Sequence, residues 1–270
     1  MVPRVGGLGW SLGTRGLGGG GLGTRQGAGI SEVSGPGSTV SVVIGEQATW
    51  NGALLDRDQC SPDFVRAGDR LADAAKAGDW DAVWAALDQE AQSGVLDVNQ
   101  WRPGGPSWFT PLHQAAWLGA PGEVIDELLR RGAWKSITDS AGRRPVDIAR
   151  ERGHLRLAEM LEPTFDRAGR PGDDLLGALN GQLATLVADV ARPALETNSA
   201  RVRCPDVVVM FEDSGPDRVW FPIPGMAGGF SIELRHRRLH VESWSRVVGG
   251  SGLYHVITQD RTVLVEEGFV

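Results

Sequence analysis

Three glycines set the first constraint on this chain. Gly78, Gly119 and Gly153 each follow a short stretch with small residues at helical spacing, and they lie 41 and 34 positions apart. The middle copy is the fullest. It reads Thr110-Pro111-Leu112-His113-Gln114-Ala115-Ala116-Trp117-Leu118-Gly119, followed by Val124-Ile125-Asp126-Glu127-Leu128-Leu129. Thr110 is suited to cap a helix, and Pro111 suits the first helical position, where a missing N–H costs nothing. Ala115 and Ala116 let a neighbouring helix approach closely. Glycine suits the left-handed turn that ends such a helix. A third copy runs Asp139-x-x-Gly142-Arg143-Arg144-Pro145-Val146-Asp147-Ile148-Ala149 and continues to Leu157–Leu161; an earlier one, Leu71–Gly78, lacks Thr-Pro.

The core Thr-Pro-Leu-His-x-Ala-Ala-x-x-Gly resembles the ankyrin repeat, whose period is about 33 residues. The resemblance implies three repeats over residues 64–165, with both ends capped and the terminal repeats polar on their outer faces. It further implies a structural role for His113, and recognition through variable first-helix and finger positions. Asp73, Lys76, Gln114, Trp117, Ile148 and Glu151 occupy such positions. The long first spacing adds a Gly/Pro-rich insertion, Trp101-Arg102-Pro103-Gly104-Gly105-Pro106-Ser107-Trp108. Insertions of this kind map to loops on one face of an array. Trp101, Trp108 and Trp134 therefore join the candidate partner-binding residues, Trp and Arg being enriched at interaction hot spots. The other reading of these tryptophans, as interior packing, is equally open, because indole serves both uses.

After residue 165 the pattern changes. Residues 166–174 read as a linker, and residues 175–270 as one helix followed by an antiparallel sheet. Leu175, Leu176, Leu179, Leu183, Leu186, Val187 and Val190 recur at helical spacing, with Arg192-Pro193 as the stop. Strands are expected at 206–212, 217–222, 229–235, 238–247, 252–258 and 262–267. A turn at His236-Arg237 sets Leu234, Ile232 and Phe230 opposite Leu239, Val241 and Ser243, so the apolar sides coincide. A second turn at 249–251 sets Val241 opposite Thr258. The other sheet face then carries Glu233, His240, Glu242, Trp244 and His255. That face reads first as a solvated surface, next as a second partner surface, and last as a metal or acid–base site. Cys204 lacks the sequence setting of a nucleophile. No catalytic residue, metal site or cofactor is expected.

The expected fold class is thus α+β: an α-helical ankyrin solenoid followed by a small antiparallel-sheet domain with one helix. Residues 1–38 read as a disordered tail, with 14 of the 38 glycines in residues 1–37, and residues 39–63 as a lead-in that includes a short strand near 39–44. The tail holds Gly16-x-Gly18-x-x-Gly21, but a dinucleotide site needs a strand before this motif and a helix after it. No secretory or membrane-spanning stretch is apparent, so a cytoplasmic location follows by default. Two cysteines cannot build a disulfide scaffold. The net charge of −7, with 19 acids against 13 bases between residues 38 and 165, argues for a basic protein partner and against nucleic acid. The expected role is that of a bacterial, non-enzymatic interaction scaffold. A toxin-type enzyme and an immunity-like binding protein are the alternatives.

Overall fold

Among the described residues, seven α-helices and six strands form a helical layer and a sheet layer that meet through their loops. The computed structural model describes residues 47–50, 55–91, 96–245 and 252–268. The Gly-rich tail with its Gly16-x-Gly18-x-x-Gly21 motif, the expected strand near 39–44 and the turn at 249–251 lie outside the described residues. In chain order the elements are β1 (Gln47–Thr49), α1 (Pro62–Ala77), α2 (Trp80–Ala91), α3 (Pro111–Leu118), α4 (Gly122–Arg130), α5 (Pro145–Glu151), α6 (Leu155–Leu161), α7 (Asp173–Asn198), β2 (Arg218–Ile223), β3 (Gly228–Arg235), β4 (Arg238–Ser245), β5 (Gly252–Ile257) and β6 (Thr262–Gly268).

The helix ends follow local chemistry. Ser61 accepts the Phe64 N–H at the start of α1, and Thr110 accepts the His113 N–H at the start of α3, each with proline next in line. Gly119 ends α3 at φ 68°, where glycine is favoured, and a Cβ there would stand 2.6 Å from the His154 ring and force it to shift. Ala115 and Ala116 are fully buried, and α3 packs between α1 and α5. Leu71, Leu112, Ile125, Leu128, Ile148 and Leu161 fill the core of this layer.

The sheet runs in the order β1-β2-β3-β4-β5-β6. Its β3–β4 pairing is the expected one, Leu234 opposite Leu239 and Ile232 opposite Val241, closed by His236 and Arg237 at positive φ. The buried face packs on Leu179, Leu183 and Val187 of α7. Four details depart from expectation. First, β1 pairs parallel with β2, which makes the sheet mixed. Second, Val241 sits opposite His255, three residues from the expected Thr258; an odd slip exchanges faces, and His255 now lies on the core side. Third, residues 207–210 form a 3₁₀ turn instead of a strand. Val207, Val209, Met210 and Phe211 are all buried, which leaves no alternation for a sheet to use. Fourth, α7 continues through Pro193 to Asn198. Ala194 and Leu195 pack on the core there, while the Thr197 hydroxyl and the Asn198 amide donate to the carbonyls of Pro193 and Ala194.

The expected solenoid followed by a separate antiparallel domain is therefore corrected. Seven helices and a six-stranded mixed sheet are described, and Trp50, Trp101, Trp134 and Ile137, from segments outside β2–β6 and α7, belong to the sheet's own core. The physical reason is side-chain demand. Three large indoles need more apolar cover than the short helices provide, and the sheet's core supplies it.

Glu212 couples the layers. Its carboxylate is buried and accepts the N–H groups of Lys135 (3.1 Å) and Ser136 (3.0 Å), and the hydroxyls of Ser136 and Ser214, both at 2.6 Å. Asp206 receives the Thr138 N–H and hydroxyl, both at 2.9 Å. Replacing Glu212 by alanine strands these buried donors. The expected loss is about 2–4 kcal/mol of stability, read as a lower urea midpoint by tryptophan fluorescence. A loss below about 0.5 kcal/mol contradicts this role.

Candidate functional site

Asp73 and Lys76 lie three residues apart on α1, hence on one face. They line an open groove of about 720 Å³ whose other walls are Arg102, Pro106 and Ser107 of the 101–108 loop, Phe109, and Gln114, Trp117 and Leu118 of α3. Arg143 closes one side. The groove exists because α1 and α3 pack side by side while the long loop turns across them. Arg102 anchors that loop by donating to Asp69 (2.9 Å) and to Asp73.

Trp117 is the dominant aromatic surface of the groove, 38 % exposed on the last turn of α3. Phe109 meets it edge-on with ring centroids 6.1 Å apart, and the Arg152 guanidinium lies over its face at 4.4 Å. Arg102 is neutralised by Asp69 and Asp73, and Arg143 by Asp139 and Glu151. No ion pair forms on Lys76 or Arg152 among the described residues. The groove thus joins an aromatic wall to Lys76, with Arg152 against the Trp117 ring, a combination that takes flat, anionic groups.

His113 lies directly beneath, fully buried. Its Nδ1 accepts from the Thr110 N–H at 3.2 Å, and Nε2 donates to the Arg143 carbonyl at 3.3 Å. Burial is the main cause that lowers its pKa to about 4; the Asp139 charge opposes this. The imidazole is neutral at pH 7 and supports the α3 cap.

The remaining predicted residues are placed as follows. Trp101 (2 % exposed) and Trp134 (5 %) are interior, and Ile148 is fully buried. Trp108 is half-buried at φ 56°, against the Arg203 guanidinium at 4.5 Å. Glu151 is exposed and paired with Arg143. The structure therefore gathers Asp73, Lys76, Gln114 and Trp117 into one groove. Phe109, Arg102 and Arg143 were missed as lining residues, and Arg152 as the cation against the Trp117 ring. Arg152 carried a faint signal, since it directly precedes the landmark Gly153.

The second surface separates. Glu233 accepts from Arg218 (2.6 Å) and Arg235 (2.5 and 2.7 Å), whose hydrogen bonds bring its pKa down against the opposing effect of burial. His240 shares a 2.6 Å hydrogen bond with the Tyr254 hydroxyl, and burial lowers its pKa. Trp244 stacks on Trp220 at 4.6 Å, and Glu242 is exposed on the same face. His255 stands on the opposite, buried face, with its pKa lowered by burial. Among the described residues no three metal-ligating groups gather. Burial drives the Cys204 thiol up to about 11, far from a reactive thiolate.

No family model matches this chain. Curated relatives match a small part of it. Squamosa promoter-binding-like protein 1 of Oryza sativa subsp. japonica is 41% identical over 68 residues, 23% of this chain and 8% of that protein. Squamosa promoter-binding-like protein 6 of the same plant is 32% identical over 95 residues, 33% of this chain and 10% of that protein. Squamosa promoter-binding-like protein 1 of Arabidopsis thaliana is 32% identical over 78 residues, 27% of this chain and 9% of that protein. The matches thus span a tenth or less of these relatives' length.

These findings correct the sequence reading. The ankyrin assignment has no matching family model behind it, and the relatives bear another name. They are plant proteins, where bacterial ones were expected. Their names refer to promoters, which overturns both the ankyrin-scaffold role and the exclusion of nucleic acid from the partner expectation. As to location, among the described residues no helix is long and apolar enough to cross a membrane.

The neutral His113 gives a pH test. Its folded-state pKa lies below the unfolded value, so the folded chain binds fewer protons between pH 6.5 and 4. Stability from this site is full above about pH 6.5 and is lost as pH falls toward about 4, by roughly 3 kcal/mol. Urea midpoints at pH 7.5 and 4.5 are expected to fall further in the wild type than in His113→Gln. Equal falls would remove the assignment.

Proposed function

We propose that this chain contributes a nucleic-acid contact, in keeping with relatives named for promoter binding, and that the α1–α3 groove makes it. The occupant is an unpaired or single-stranded stretch, whose base stacks on Trp117 while its phosphates meet Lys76 and Arg152. One observation carries this reading: a half-exposed Trp with an arginine stacked on it, in a groove that also holds an unneutralised lysine. Base stacking on an aromatic ring is worth about 1–3 kcal/mol and tolerates any sequence. The groove's scale suits one or two nucleotides and not the breadth of a duplex.

The acidic balance limits the mode of binding. A chain of net charge −7 gains little from a long phosphate track. Affinity in this proposal therefore comes mainly from stacking. An intracellular setting belongs to the same proposal and is supported by the free thiols of Cys60 and Cys204.

The test is fluorescence anisotropy with a labelled deoxyoligonucleotide of about ten residues at low salt. Trp117→Ala is expected to weaken binding about tenfold or more, with the circular dichroism unchanged. Two phosphate contacts predict a log–log salt slope near about −1.4, and duplex of the same sequence is expected to bind more weakly. Absence of binding near 100 μM oligonucleotide, or equal affinity for Trp117→Ala, would overturn the proposal.

A further inference from the structure

Strand β6 ends the described sheet, with β5 as its only strand neighbour. Each of its seven residues is exposed, and Val263, Leu264 and Val265 are 38 %, 49 % and 55 % exposed. Among the described residues, its one side-chain hydrogen bond to another element is from the Thr262 hydroxyl, which donates to Gln182 Oε1 at 2.9 Å. A flat, apolar edge of this kind offers a row of N–H and C=O groups to a further strand.

The flanking charges specify which strand fits. Arg261 precedes the apolar run, and Glu266 and Glu267 follow it. None of the three forms an ion pair among the described residues. A second copy laid antiparallel, with the two-fold axis at Leu264, puts Arg261 opposite Glu267, Thr262 opposite Glu266 and Val263 opposite Val265. Charges match at both ends and apolar residues meet in the middle. A parallel copy would set like charges against each other. We propose that β6 pairs antiparallel with β6 of a second copy of this chain, joining two six-stranded sheets into one across a two-fold axis.

The edge also carries features that discourage indiscriminate pairing. Tyr254 pairs with Glu266 and His255 with Leu264, which leaves Val265 as the extra residue of a bulge. Two adjacent carboxylates repel acidic strands, and a neutral strand leaves them unpaired. Arg261 from a second copy answers those carboxylates, so the same devices select for self. One strand pair buries well under the area of a standard interface, and the dimer is accordingly weak and concentration-dependent.

Sedimentation equilibrium of the full chain, from about 10 μM to about 0.5 mM, tests this. The weight-average mass is expected to rise from 28.8 kDa toward twice that value. Leu264→Lys, which brings two ammonium groups together on the axis, is expected to abolish the rise. Arg261→Glu and Glu267→Arg alone should each weaken association about tenfold, since each removes two symmetry-related cross-strand pairs. The double variant Arg261→Glu/Glu267→Arg should return to within about threefold of the wild type. A wild type that stays monomeric throughout overturns the proposal. So does association unaffected by Leu264→Lys, or a double variant no stronger than the singles. Both charged positions are exposed, so this series keeps the test valid should Leu264→Lys disturb folding.

Discussion

One cation organises the junction of helices and sheet. The Arg203 guanidinium lies 4.5 Å from the ring of Trp108, 4.7 Å from Trp101 and 5.2 Å from Trp50. Burial alone would make this charge costly by several kcal/mol and pulls its pKa down. Three contributions offset that cost: the ion pair to Asp206 at 2.6 Å, the bond to the Thr138 carbonyl at 2.9 Å, and the electron-rich indole faces. The residues involved come from the β1 end, the 101–108 loop, the segment after α4 and the chain after α7. Trp50 completes the lock, because its Nε1 donates to the Arg203 carbonyl at 2.8 Å while its ring stacks on Trp134. The loop that walls the groove is thus held at two points, by Arg203 around Trp101 and Trp108 and by Asp69 around Arg102.

This junction shows what the sequence could and could not disclose. Helix caps were legible, because Thr110-Pro111 and Gly119 act on residues within one turn of themselves. The β3–β4 register was legible for the same reason, a two-residue turn leaving no slack. The β4–β5 register was not, since a longer connection fixes no parity and His255 changed faces. The aromatic cluster was invisible. Nothing in the spacing of Trp50, Trp101, Trp108 and Arg203 announces that they meet, and an indole beside Gly and Pro suits a surface loop as well as a core. Of the candidate site, Asp73, Lys76, Gln114 and Trp117 were readable as exposed helix positions. The contact of Arg152 with Trp117 was not, because stacking across helices depends on how α3 and α5 pack.

The resemblance that the repeat motif suggested rested on residues that determine helix ends and close packing. Those residues report local geometry faithfully and say little about what a chain binds. Phe109, Trp117 and Arg152 carry the chemistry of the groove, and none belongs to the cap-and-glycine pattern. Local charge also outweighs the global sum there. Of the cations lining the groove, Arg102 and Arg143 are absorbed by neighbouring carboxylates, while Lys76 on the groove and Arg152 against Trp117 form no ion pair among the described residues.

The two exposed features follow from opposite treatments of the same problem. Trp117 and Leu118 stay at the surface because α3 is only eight residues long and its buried side is already taken by Ala115, Ala116 and Leu112. The Arg152 guanidinium lies over the Trp117 ring and Phe109 meets it edge-on, so the exposed apolar area is small and selective. On β6 the exposed area is linear, and no side chain among the described residues buries it; a bulge and terminal charges restrict who can approach. A groove limited by shape suits a small planar group, whereas an edge limited by charge order suits a strand of matching polarity. The sheet and the helices therefore offer different kinds of recognition from one folded unit, joined by the buried Arg203 cluster that holds both in register.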